Sequence, residues 1–235
     1  LVFKIYCTMK IIIVGTAFPY RGGLASYNER LAREFVKQGH DVEILTFTLQ
    51  YPSFLFPGKS QFSAEAAPTD LKVSRTINSV NPISWIKTGR AIRKKRPDRV
   101  IFCYWMAFMA PCFGTIARFA KSQGTKMIAL IHNMIPHEPT ILDKLFPQYF
   151  VDSMDGFVAM ADSVVEDIKL FDKKDKPKTV SPHPIYDHYG ELLSKKEASM
   201  RIGVFDDKYY ILFFGFIRQY KGLDLLLEAF ADERL

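Results

Sequence analysis

Cysteine is scarce in this 235-residue sequence. Cys7, Cys103 and Cys112 are odd in number and share no metal or redox spacing. That excludes a disulfide scaffold and a thiolate zinc site, and reads as a reduced, intracellular chain. Long apolar runs are missing too: none reaches the ~18–20 residues that a membrane-spanning helix needs. Residues 1–8 are too short for a signal peptide and lack a small-residue cleavage site. Met9-Lys10 is the expected natural start, which makes residues 1–8 a leader or extension. Several catalytic signatures are absent. There is no G-x-G-x-x-G, and Thr46-Phe47-Thr48 ends a strand without an acidic ribose ligand, which argues against NAD. His137-Glu138 runs into Pro-Thr-Ile, so no H-E-x-x-H zinc site exists. No D-x-D occurs to clamp a diphosphate through a metal, and no G-x-S-x-G to present a serine. No metal and no organic cofactor is expected.

What is present is ample material for a core, with 48% hydrophobic and 14% aromatic residues, so disorder is excluded. The net charge of +7, with a pI near 9.2, suits an acidic partner: nucleic acid, an anionic membrane surface or phosphorylated ligands.

The rest of the chain is organised around Gly15-Thr-Ala-Phe-Pro-Tyr20-Arg21-Gly22-Gly23-Leu24. It lies between a β-branched run, Lys10–Val14, and an amphipathic helical pattern from Ala25 to Gln38 closed by Gly39. Strand, glycine loop and helix bring backbone N–H groups to an anion at a helix N-terminus. Further strands are predicted at 40–48, 71–77, 99–104, 126–131, 155–160 and 178–181. Helices are predicted from Asn81-Pro82 (cap and first turn) to a stop at Pro97, then at 105–122, 140–153 and 161–171. Residues 49–70, with Pro52, Pro57 and Pro68, read as a long loop. This alternation predicts an α/β fold with a doubly wound, mainly parallel, Rossmann-like sheet. Ligands collect at the C-terminal ends of such strands. The Gly22-Gly23 loop and the loop His132–Pro139 both follow strands and so share that edge. His183, between two prolines, reads as a hinge.

A domain over 9–186 is followed by a polar stretch, 187–207, that reads as a linker. Residues 208–235 then open a second domain. Tyr209–Gly215 is predicted as a strand and Leu223–Phe230 as a helix, the first βα unit of a second, truncated Rossmann-like domain. Arg218 and Lys221 flank the start of that helix, where two cations suit a diphosphate.

Phe213-Phe-Gly-Phe-Ile-Arg-Gln-Tyr-Lys-Gly-Leu-Asp-Leu-Leu-Leu-Glu-Ala-Phe230 resembles the opening of the C-terminal domain of family 4 retaining glycosyltransferases, of the GT-B fold. Pro19–Leu24 resembles the glycine loop of their N-terminal domain, and Ile131–Glu138 resembles their acceptor-side histidine loop. The resemblance implies two Rossmann-like domains facing across a cleft, a nucleotide-diphosphate sugar as donor, and a glycan or lipid-linked acceptor in polysaccharide biosynthesis. The expected location is cytoplasmic, peripheral at the inner face of the membrane, and no nucleic-acid partner is expected. Gly22 and Gly23 would approach the donor, and His132 would lie beside the transferred sugar. Arg218 and Lys221 would hold the diphosphate and stabilise it as a leaving group. Tyr20, Arg21, Asn133 and His137 would face the acceptor. The commoner family pattern has arginine directly after the glycine, whereas here Phe216 follows Gly215 and the arginine stands at 218. The family's two glutamates, eight positions apart, have no counterpart, so these 235 residues are expected to be a fragment without turnover.

The helix at 83–96 has two readings. Trp85 and Ile92 with Arg90, Arg93, Lys94, Lys95 and Arg96 would suit anionic lipid, or the helix is simply solvated. The residues alone leave open two other functions: a non-catalytic α/β module binding an acidic ligand, and a sugar-nucleotide epimerase of the same architecture.

Overall fold

The computed structural model describes residues 7–52, 60–135, 142–185, 190–205, 207–215 and 217–231. The chain divides into two compact units, Leu1–His183 and Pro184–Leu235. In the first unit, seven strands form one sheet: β1 Lys10–Val14, β2 Asp41–Leu49, β3 Lys72–Asn78, β4 Arg99–Tyr104, β5 Lys126–Ile131, β6 Gly156–Ala159 and β7 Lys178–Val180. Every neighbouring pair is parallel, in the order β3-β2-β1-β4-β5-β6-β7. The expected doubly wound Rossmann-like sheet is therefore present. Its order reverses between β1 and β4, the switch point at which the loops leaving the strands part to opposite faces.

Strand periodicity divides the core between two layers. Ile11 and Ile13 pack with Tyr27, Ala32, Ile101 and Cys103 beneath α1, Gly23–Lys37. Ile12 and Val14 pack with Phe102, Tyr104, Phe113 and Phe150 on the other face. That face is covered by α2 Pro82–Lys95, α3 Ala110–Ala120, α4 Leu142–Val151 and α5 Asp162–Phe171. Burial on both faces is why β1 reads as an unbroken apolar run rather than an alternating one.

The start of α2 follows its sequence closely. Asn81 Oδ1 accepts the N–H of Ile83 at 3.0 Å, and Pro82 occupies the first turn. At the other end Pro97 bars Arg96 from the helical region, and Arg96 turns left-handed at φ 46°. Ile92 is fully buried, and half-buried Trp85 donates Nε1–H to Asn78 O at 2.7 Å. That overturns the lipid-lying arrangement of Trp85 and Ile92, because α2 spends both residues on the core.

The second unit contains α6 Lys195–Ile202 and α7 Leu223–Phe230. The first falls inside the expected linker. It opens on a capping box in which Ser194 Oγ accepts Glu197 N–H (3.3 Å) and the Glu197 carboxylate accepts Ser194 N–H (3.1 Å). The strand expected at Tyr209–Gly215 does not form. Tyr209, Ile211, Leu212 and Phe214 are exposed, and no strand of this unit is described that could pair with the segment. An apolar strand needs lateral hydrogen-bond partners and cover on both faces. Residues 1–6, 53–59 and 187–189, parts of the expected leader, long loop and linker, lie outside the described residues.

Candidate functional site

The turn after β1 is built on Gly15. A Cβ there would stand 2.8 Å from Asn28 Nδ2 and 2.9 Å from Cys103 Cβ, so glycine is what lets α1 cross so close to the sheet. The loop then fastens itself to its surroundings. Gly15 N donates to Leu45 O (3.1 Å), Ala17 N to Thr46 Oγ1 (3.0 Å), and Phe18 N to Glu29 Oε1 (2.9 Å). Asn28 Nδ2 donates to Thr16 O (2.8 Å), and Arg21 N to Gln61 O (3.0 Å).

At Gly22 the pattern changes. This residue stands at φ 107°, ψ 175°, a conformation that belongs to glycine. Among the described residues no hydrogen bond uses the N–H of Gly22, Gly23, Leu24 or Ala25. No side chain caps α1, and its first turn carries no acid. These N–H groups and the positive end of a 15-residue helix make a seat for an anion. Beside them opens a polar cavity of about 280 Å³, bounded by Arg21, Ser26, Glu29, Arg33 and Glu65. Tyr20 also lines it but is itself only 4% exposed, its ring 6.2 Å from Phe47 and 5.3 Å from Phe62. Burial raises its phenol pKa, opposed by Gln50 and Arg75.

β5 delivers His132 to the same edge, where His132 N donates to Tyr104 O at 2.9 Å. The imidazole meets the Tyr27 ring edge-on at 5.0 Å and lies 6.0 Å from the His183 ring, which is itself 5.0 Å from Tyr27. Its Nε2 is buried with no hydrogen-bond partner among the described residues. Burial, with His183 adding to it, lowers the His132 pKa to about 4, so the ring is neutral near pH 7. Tyr27 sits one turn into the helix that opens at Gly23, and through it the two loops meet. Asn133 follows, exposed. His137 lies outside the described residues.

Arg218 and Lys221 belong to the second unit. Residues Gln219–Lys221 form a single 3-10 turn, and Gly222 at φ 65° leads into α7. Both cations are exposed, with no ion pair among the described residues. Lys221 Nζ folds back over Gly215, where a Cβ would stand 2.6 Å from it. The structure thus gathers Tyr20, Arg21, Gly22, Gly23, His132 and Asn133 on one sheet edge of the first unit. It also places the His183 ring beside His132, at the end of the first unit. No local pattern announces a contact between positions so far apart in the chain. Among the described residues, no group of three His, Cys, Asp or Glu side chains is placed to hold a metal ion. None of their helices is long and apolar enough to cross a membrane.

A family model described as Glycosyltransferase Family 4 matches residues 21–186. No curated protein matches the chain. Among solved structures the chain is similar to a glycosyltransferase from Rickettsia africae ESF-5, at 15% identity and a TM-score of 0.53, covering 85% of this chain and 50% of that one. It is also similar to an alpha-glucosyltransferase in complex with UDP and a 13-mer DNA containing a HMU base. That match has 11% identity and a TM-score of 0.50, covering 74% of this chain and 42% of the other. At these identities the likeness is one of fold. The chain spans half or less of the length of these relatives.

Proposed function

The chain belongs to glycosyltransferase family 4, and from that premise we propose that it supplies the acceptor-side domain, with the opening of the donor-side domain, of a sugar-transferring enzyme. The donor is a nucleotide-diphosphate sugar, the acceptor a lipid-linked glycan or polysaccharide, and the reaction proceeds with retention. The observation that carries this reading is the run of N–H groups from Gly22 to Ala25, unpartnered among the described residues, on the edge that also bears a neutral His132.

In this reading the amides receive the donor; Arg218 and Lys221, on the second unit, hold a diphosphate and stabilise it as a leaving group. The acceptor hydroxyl attacks from the face the diphosphate leaves, so configuration is kept, and its proton passes to the departing phosphate. An uncharged His132 accepts or donates a hydrogen bond at the sugar. Arg21, Asn133 and the cavity beside Tyr20 face the acceptor. Work at the cytoplasmic face of an anionic membrane fits the +7 charge.

Titration of the chain with UDP-, GDP- and ADP-sugars, followed by amide NMR, tests this. Saturable shifts at Gly22–Ala25 with at least one donor are expected, without turnover, since the glutamate pair is absent. Shifts that spare those amides with all three donors would overturn it.

A further inference from the structure

The opposite edge of the sheet, at the N-terminal ends of the strands, carries a cavity of about 950 Å³ unrelated to the seat at Gly22. It is lined by Arg90, Arg93, Lys94, Arg96, Ser122 and Gln123. We propose that it binds an anion bearing two or more phosphate groups.

The lining is cationic by construction. Arg90, Arg93 and Lys94 stand at i, i+3 and i+4, one face of α2. Arg96 joins them because the residue before Pro97 has left the helical region. Arg90 lies over the Phe119 ring, its guanidinium carbon 5.7 Å from the centroid, and Arg93, Lys94 and Arg96 have no ion pair among the described residues. The neighbouring cations differ. Lys95 is paired with Glu43, Lys121 with Asp155, and the carboxylate of Asp98 accepts Lys10 N–H. Carboxylates are thus supplied on either side of the cavity, and among the described residues none lines it.

A cation in the last turn satisfies a helix dipole, and Lys95 already provides one. Arg90, Arg93, Lys94 and Arg96, all exposed, line one hollow with no described carboxylate among them to offset their charge. Guanidinium forks match phosphate oxygens in pairs, and several phosphates are needed to neutralise four cations. The walls are held in advance. Thr125 Oγ1 donates to Pro97 O (2.7 Å), Ser122 Oγ lies 2.8 Å from Thr125 Oγ1, and Lys126 N donates to Asp98 O (3.0 Å), locking the α2–β4 and α3–β5 turns together. Free polyphosphate and the clustered headgroups of an anionic membrane share this chemistry.

Calorimetric titration of the whole chain with pyrophosphate and inorganic phosphate, beside co-sedimentation with phosphatidate or neutral phosphatidylcholine vesicles, separates the sources. The variant R90Q/R93Q/R96N keeps a residue tolerant of the left-handed turn at 96, and R201Q in the second unit is the control. Pyrophosphate is expected to bind more tightly than phosphate, about tenfold more weakly in the triple variant, and unchanged in R201Q. Phosphatidate vesicles binding in place of pyrophosphate, with the same loss in the variant, would support the site and name its source. Binding of neither, or equal binding by wild type and variant, would overturn it. Should the triple variant not fold, wild-type amide shifts at Ser122 and Gln123 on pyrophosphate addition decide: present, the site stands; absent, it falls.

Discussion

The ring centroids of His132 and Tyr27 lie 5.0 Å apart with their planes at 85°, and this contact joins the end of β5 to the helix that opens at Gly23. It also dries the imidazole. A folded pKa of about 4 against an ordinary 6.5 means that the unfolded chain binds more protons between those values. The stability so contributed is complete above pH 6.5, drains as pH falls towards 4, and levels off below. Two and a half units set an upper figure of about 3 kcal/mol. Urea midpoints for wild type should fall between pH 7 and 5 more than those of His132→Gln, and the His132 Hε1 resonance should titrate near pH 4. A midpoint near 6.5 would mean that burial does not set the charge of this ring.

Gly15 and Gly22 lie in one loop but are glycines for different reasons, so alanine separates them. At Gly15 the new Cβ meets Asn28 and Cys103 at under 3 Å, a clash with packed atoms costing ~2–3 kcal/mol. At Gly22 it meets nothing within 4 Å, and the penalty is backbone strain at φ 107°, ~1–2 kcal/mol. Thermal unfolding should rank Gly15→Ala below Gly22→Ala. Donor titration should reverse the ranking of damage, because only Gly22 borders the open amides.

The central strands of the first unit are readable from the sequence because a strand buried on both faces leaves a continuous apolar run, as Ile11–Val14 does. Caps are readable because they use local chemistry: Asn81-Pro82 shows the start of α2, and the Ser194-Lys-Lys-Glu197 box marks α6 although its polar surroundings read as linker. Tyr209–Gly215 has the composition of a strand without a partner, and composition carries no information about lateral pairing. Gly22 and His132 are visible as a glycine pair and a strand-end histidine. Tyr27 and His183, which complete the ring cluster, are not, since one is a helix-face aromatic and the other comes from far along the chain. The burial of Ile92 depends likewise on α3 packing against α2, which α2's own residues do not encode.

Asp172 offers a second pH test, of opposite chemistry. Its side chain is fully buried and accepts Lys178 Nζ at 2.6 Å and the N–H groups of Lys176 (2.8 Å) and Lys174 (3.3 Å). Burial works to raise its carboxyl pKa, but Lys178 and the two amides outweigh it and hold the group below the usual carboxylate range. That stability is present above the unfolded pKa and lost as pH falls through the folded one. Asp172→Asn should cost ~2–3 kcal/mol at pH 7 by leaving Lys178 under-compensated, and its stability should change less than that of wild type between pH 5 and 2. Equal acid sensitivity of the two proteins, by circular dichroism, would move the acid-labile group elsewhere.

Arg118 joins α3 to α4 through geometry that lysine does not reproduce. Its guanidinium carbon stands 3.6 Å from the Tyr149 ring centroid, while Nη1 donates to Gly114 O (2.9 Å) and Nη2 to Tyr149 O (2.8 Å). A plane that stacks and donates from two nitrogens at once needs the fork of arginine. Arg118→Lys should therefore lose most of what Arg118→Ala loses, ~1–2 kcal/mol at a partly exposed site, even though charge is kept. Gly114→Ala attacks the same contact from below, since its Cβ would lie 2.7 Å from Tyr149 Cδ1 and displace the ring. In a double-mutant cycle Gly114→Ala and Arg118→Lys should couple, each having already spent the stack that the other removes. Additive losses would mean that the ring and the guanidinium hold the helices independently.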